Sequence, residues 1–156
     1  MLFRSSNSWC PYCCIPSKKL CNDEECSHCF NKSFASYDGK TIEGKLKVDC
    51  WIQTKNDGLT PRNITKSSGR KFWFKCDECS HKFHLSLQNI MDKKKSWCAY
   101  CANKKLCNDT KCKKCLNNSF ASYKGETKNG KLKTECWLVK ENNNLTPRDE
   151  IGRAHV

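Results

Sequence analysis

The sequence predicts a small metal-stabilised α+β fold, built from tandem modules in which β-hairpin knuckles alternate with short helices. Three observations lead there. A cysteine-and-aromatic pattern is written twice, 86 residues apart. Most of the 15 cysteines stand in C-x2-C pairs, the spacing that lets two thiolates reach one tetrahedral metal ion. Finally, the apolar content is only 37% with cysteine included, so a unit of this size buries little core and needs a metal or cross-links for stability.

The first copy of the pattern reads Leu20-Cys21-x4-Cys26-x2-Cys29, then Ser33 to Tyr37, Cys50-Trp51 and Leu59-Thr60-Pro61-Arg62. The second reads Leu106-Cys107-x4-Cys112-x2-Cys115, then Ser119 to Tyr123, Cys136-Trp137 and Leu145-Thr146-Pro147-Arg148. A Trp-Cys-x-Tyr-Cys box precedes each, and these boxes stand 88 residues apart. Joined end to end, the copies give one full unit over 51–136. Residues 1–50 are then the C-terminal part of a truncated unit, 137–149 the start of a further one, and 150–156 a tail unlike the repeat. Ile151 to Val156 is what a common sequencing-adapter string would encode, so the tail is expected to be non-native.

Along the central unit, Trp51 opens a polar loop that Leu59-Thr60-Pro61 closes, because proline drives its predecessor toward extended geometry. After the Ser67-Ser68-Gly69 turn signal, Lys71 to Lys75 reads as a strand with Phe72 and Phe74 on a core face and Trp73 on the surface. Phe83, Leu85 and Leu87 alternate as a return strand, making a hairpin with Cys76 and Cys79 at its tip. A polar stretch with Lys93-Lys94-Lys95 leads to Cys98 and Cys101. Cys112 to Tyr123 has neither Pro nor Gly and is expected to be one short helix, after the Asn108-Asp109 turn. A loop bounded by Gly125 and Gly130 precedes the run Leu132 to Val139.

Cys76, Cys79, Cys98 and Cys101 form the clearest site, two C-x2-C pairs separated by 18 residues. Four thiolates close a tetrahedron and leave no position for a reactive water. His81 and His84 are alternates for the fourth ligand in place of Cys79. A second kind of site joins Cys107, Cys112 and Cys115 with Cys136, and its first copy joins Cys21, Cys26 and Cys29 with Cys50. The competing reading makes Cys50 and Cys136 small buried hydrophobes beside Trp51 and Trp137. His28 has Lys114 as its counterpart and is not expected to be a ligand. Cys10 and Cys13 match Cys98 and Cys101 but lack a partner pair, so they form half a site. Two to three zinc ions are expected. Disulfides are disfavoured, since the cysteine count is odd and no secretory leader follows Met1; five Asn-x-Ser/Thr sequons in an Asn-rich chain weigh little against this. Reduced thiols imply an intracellular setting, nuclear or cytoplasmic.

The formal net charge is +13. Each zinc with four thiolates carries −2, so two complete sites lower it to +9 and a third to +7. The chain stays basic, which favours DNA or RNA as partner. Arg62, Lys66, Arg70, Lys71 and Lys75 lie in an acid-free segment, and Trp73 stands among them. Solubility in a Lys-rich chain is the competing reading. No apolar run approaches membrane-spanning length. No carboxylate set or open metal position suggests an enzyme. A protein-interaction scaffold is the alternative function, and the sequence leaves oligomeric state open.

The segment Lys71 to Phe83 with Trp97-Cys98-x-Tyr100-Cys101 resembles the zinc-ribbon repeats also described as treble-clef zinc fingers, a tandem-repeat family. The upstream Trp51-x4-Asn56-x2-Leu59-x-Pro61 and the downstream Leu106 to Ser122 resemble it too, including its cysteine-richer versions. The resemblance implies Cys76, Cys79, Cys98 and Cys101 as ligands, with His81 sometimes taking part. It also implies an accessory role beside nuclease-like domains and hence a nucleic-acid partner. The chain departs from the commoner form in its insertions at 38–47 and 124–133 and in the cysteines before Trp51 and Trp137.

Overall fold

A computed structural model describes residue 12 and residues 19–152. The chain divides into two compact units, residues 1–97 and 98–156. The first contains helix α1 (Ser27–Lys32), strands β1 (Lys71–Lys75) and β2 (Lys82–Ser86) and helix α2 (Leu87–Met91), with four 3-10 turns between α1 and β1. The second contains helix α3 (Lys113–Asn118) and three 3-10 turns. The α+β class expected from the sequence is what the structure has.

β1 and β2 pair antiparallel, with Lys71 opposite Ser86, Trp73 opposite His84, and Lys75 opposite Lys82. The pleat sends Phe72, Phe74 and Phe83 inward, where all three are buried. They meet Phe34 and Trp51. Trp51 packs on Phe72 at 4.8 Å between centroids and edge-on to Phe74 at 5.5 Å. Trp97 meets Phe83 edge-on at 4.8 Å. Edge-to-face geometry is what ring quadrupoles prefer, so aromatic contact replaces the aliphatic core that the composition lacks.

Two elements differ from the sequence expectation. The return strand stops at Ser86, and Leu87 begins α2 instead of continuing the alternation. The Ser86 hydroxyl accepts from Asn89 N at 3.3 Å, an N-cap that outcompetes one more strand residue, and α2 buries Leu87 and Ile90. The helix expected over Cys112 to Tyr123 breaks at Ser119, which is extended (φ −88°, ψ 162°). The Ser119 hydroxyl donates back to Leu116 O at 2.7 Å, and Phe120 N donates to Glu150 O at 2.7 Å. A 3-10 turn, Phe120–Ser122, follows.

The same break occurs at Ser33, where Phe34 N donates to Ile64 O at 2.8 Å and Ser33 bridges Thr65. In the second unit Ser119 bridges Ile151, and Gly152 N donates to Asn118 O at 2.8 Å as Lys66 N does to Lys32 O at 3.0 Å. Residues 150–152, read from sequence as the start of an unrelated tail, thus take the backbone pairing of 64–66. These bonds use main-chain groups alone, so they do not depend on side-chain identity. No helix among the described residues is long and apolar enough to cross a membrane.

Candidate metal centres

β1 delivers Cys76 to the hairpin tip. There Cys76 N donates to His81 O at 2.9 Å and Ser80 N to Cys76 O at 3.0 Å. Ser80 takes a left-handed conformation (φ 62°), which folds the tip tightly enough to put Cys76 and Cys79 on one side. The 98–101 segment closes in a similar way. Ala102 N donates to Cys98 O at 3.0 Å and Lys104 N to Ala99 O at 2.9 Å, with Asn103 at φ 58°. The sulfurs of Cys76, Cys79, Cys98 and Cys101 all lie within 4.8 Å of one another, Cys76 and Cys98 being buried. Four sulfurs about 2.3 Å from a zinc ion stand about 3.8 Å apart, so this set fits the ion with little movement.

The two triads are built alike. Cys26 and Cys112 are the N-cap residues of α1 and α3, and Cys29 and Cys115 lie buried in the first turn of those helices. Cys26 N donates to Asp23 O at 3.2 Å and Cys112 N to Asp109 O at 3.1 Å, closing the preceding turns. Cys21 N then donates to Cys29 Sγ at 3.4 Å, and Cys107 N to Cys115 Sγ at 3.3 Å. These backbone N–H groups favour the thiolate, but against them burial and the neighbouring thiols hold both Cys29 and Cys115 above the ordinary thiol range, Cys115 at about 11. Sulfurs of Cys21, Cys26 and Cys29 form one group within 4.8 Å; those of Cys107, Cys112 and Cys115 form another, together with a ring nitrogen of His81.

His81 therefore stands with Cys107, Cys112 and Cys115, where the sequence placed it as a substitute for Cys79. Cys136 and Cys50, expected as fourth ligands of the triads, belong to none of the three groups. Cys50 ends the 3-10 turn Lys47–Cys50, which aims its thiol back at Leu46 O, 3.7 Å away. Burial pushes the Cys50 pKa up to about 11. Cys136 repeats the contact, 3.7 Å from Leu132 O, but is exposed. Cys50 itself is buried, at 4% exposed. His28 points Nε2 toward Tyr12 O at 3.2 Å and joins no group, as its Lys114 counterpart implied. Cys10 and Cys13 lie outside the described residues.

Three groups are therefore present, one of four cysteines, one of three cysteines with histidine, and one of three cysteines among the described residues. Each can hold a zinc ion. Zinc in the four-cysteine group carries −2; in the histidine-containing group it carries −1. The bound ion supplies tetrahedral cross-linking of the chain.

The expected nucleic-acid residues are not brought together as one patch. Lys71, Trp73 and Lys75 alternate along the outer face of β1, opposite Ser86, His84 and Lys82. Trp73 is half-buried; the His84 ring stacks on it at 4.9 Å and Lys55 Nζ lies 4.5 Å from its centroid. Arg70 lies over the Phe72 ring at 5.2 Å. Lys66 pairs through its backbone with Lys32. Arg62 turns away altogether, onto Cys21 and Asp23. Lys55, Lys82 and His84 complete the outer face. The last two were legible as the residues out of phase with Phe83 and Leu85.

Residues 48–104 match the family described as "Probable Treble clef zinc finger domain". The chain is 40% identical over 153 residues to an uncharacterized protein of Acanthamoeba polyphaga mimivirus, an alignment covering 96% of this chain and 32% of the relative. The chain thus spans about a third of the length of that curated relative. No solved structure matches the chain.

Proposed function

We propose that the chain, whose residues 48–104 match the probable treble clef zinc finger family, is a non-enzymatic, intracellular zinc-binding repeat module that contacts DNA or RNA through the outer face of its hairpin. One observation carries the reading. Lys75 stands directly across from Lys82 on that face, beside the Trp73–His84 stack, with Lys71 and Lys55 nearby. Like charges directly opposite on a sheet repel and cost stability. A phosphate backbone laid along the face relieves that repulsion and releases its own counterions. Because His84 and Lys55 already occupy Trp73, the contact is chiefly ionic rather than base stacking.

The test is an electrophoretic shift of the zinc-loaded chain on single- and double-stranded probes across a salt series. Binding should weaken steeply with salt, and K75Q with K82Q should reduce the slope of log K against log salt by about two. Absent or salt-insensitive binding overturns the reading.

A protein-interaction scaffold is the second reading. It is favoured by Leu138, Val139 and Leu145 of the second unit, which stand 63%, 41% and 44% exposed. It predicts saturable binding to a protein and none to nucleic acid. The chain's span of about a third of its relative leaves room for a role as accessory repeats of a larger protein.

A further inference from the structure

Two arginines make one contact twice. Arg62 Nη2 donates to Asp23 O at 2.8 Å and to Cys21 Sγ at 3.7 Å, 41 residues away in sequence. Arg148 Nη2 donates to Asp109 O at 2.8 Å and to Cys107 Sγ at 3.8 Å, again across 41 residues. In both, Nε is buried. Each arginine sits in a Thr-Pro-Arg 3-10 turn closed by a capping box, Thr60 with Asn63 in one unit and Thr146 with Asp149 in the other. One cap is neutral and the other acidic, yet the guanidinium arrives at the same place. Its target, and not the charge of the cap, is what the two turns share.

Burying part of a guanidinium against a neutral thiol costs solvation and returns little. Against a metal-bound thiolate the same contact is charge-assisted. Zinc held by three thiolates and a neutral fourth ligand carries −1, and one guanidinium brings that to zero. We infer that Arg62 and Arg148 are the charge partners of zinc in the two cysteine triads. They are positioning residues that hold the first cysteine of each triad on the metal, and so are withdrawn from phosphate contact. The inference rests on zinc binding and not on the nucleic-acid reading.

The full chain, loaded with Co²⁺ or Zn²⁺, tests this with R62Q, R148Q, R62K and the control R70Q. R62Q and R148Q should each weaken one ion by about 10- to 100-fold in chelator competition. Each should also move part of the sulfur-to-cobalt charge-transfer band to lower energy, because a hydrogen bond that stabilised the sulfur lone pair is gone. A merely structural role would lower stability without moving the band. R62K should recover part of the affinity, since lysine keeps the charge but not the fork. If R62Q does not fold even with metal, R148Q decides by the same two readouts. Unchanged affinity and band position in R148Q, or equal changes in R70Q, overturns the inference.

Discussion

Asn56 holds Trp73 at both backbone atoms. Its side chain accepts from Trp73 N at 2.8 Å and donates to Trp73 O at 3.0 Å, and Asn56 itself is 4% exposed. The outer edge of β1 is thereby met by this amide together with the 51–52 backbone, where Trp51 bridges Phe74 and Ile52 N donates to Trp73 O at 3.1 Å. In the second unit the corresponding Asn142 donates instead to Leu138 O at 2.8 Å, within its own turn.

Removing that clamp should be costly in one unit only. Asn56→Ala leaves Trp73 N without its partner, while Trp73 O keeps Ile52 N, and should destabilise the first unit by about 1–3 kcal/mol. Asn142→Ala, a single local bond on the surface, should cost under about 1 kcal/mol. Urea unfolding at fixed free zinc, followed by tryptophan fluorescence, measures both.

Metal stoichiometry separates ligands from bystanders. C98S should lose one zinc ion per chain, because a closed tetrahedral site does not survive the loss of a thiolate. C50A and C136A should retain the wild-type count. Native mass spectrometry of the reduced protein reads this directly, and a lost ion in C50A would return Cys50 to the ligand list.

Cys50 also gives a pH signature. Burial raises its pKa from the ordinary thiol range to about 11, so between about pH 9 and 11 the folded state holds a proton that the unfolded state has released. The stabilisation is complete below pH 9 and is lost as pH rises through that window. C50A should show a shallower alkaline fall when stability is measured from pH 8 to 11.

Gly39 and Gly125 each lie against a tyrosine ring. A Cβ on Gly39 would collide with the Tyr37 ring, and one on Gly125 with the Tyr123 ring. Tyr37 stacks on Phe34 at 5.5 Å and Tyr123 on Phe120 at 5.3 Å, so neither ring can retreat freely. Gly39→Ala should cost about 1–3 kcal/mol by overpacking. Combining it with Tyr37→Ala should cost less than the two changes summed, in a double-mutant cycle read by thermal unfolding.

What the sequence could show depended on how local the cause was. The β1–β2 hairpin was legible because Phe72, Phe74 and Phe83 keep period two around a C-x2-C tip. Leu87 kept the same parity and so looked like strand, whereas the Ser86 cap that starts α2 was a weaker signal. Both triads were legible from spacing, since their sulfurs come from one turn and one helix start. The company of His81 was not, because it is set by tertiary placement that no spacing records. Arg62 looked like its basic neighbours. Only the chain path that returns Arg62 to Asp23 distinguishes a charge aimed inward from one aimed at solvent.

All three sulfurs of Cys21, Cys26 and Cys29 fall within nine consecutive residues. Closing so short a loop costs little entropy, so this triad can capture an ion before any distant part of the chain has been made. A ribosome would release those donors together, as one packet, while the aromatic residues they later support are still unsynthesised. Zinc held there would fix the turn and the helix start of this triad ahead of the contacts that depend on residues further along the chain.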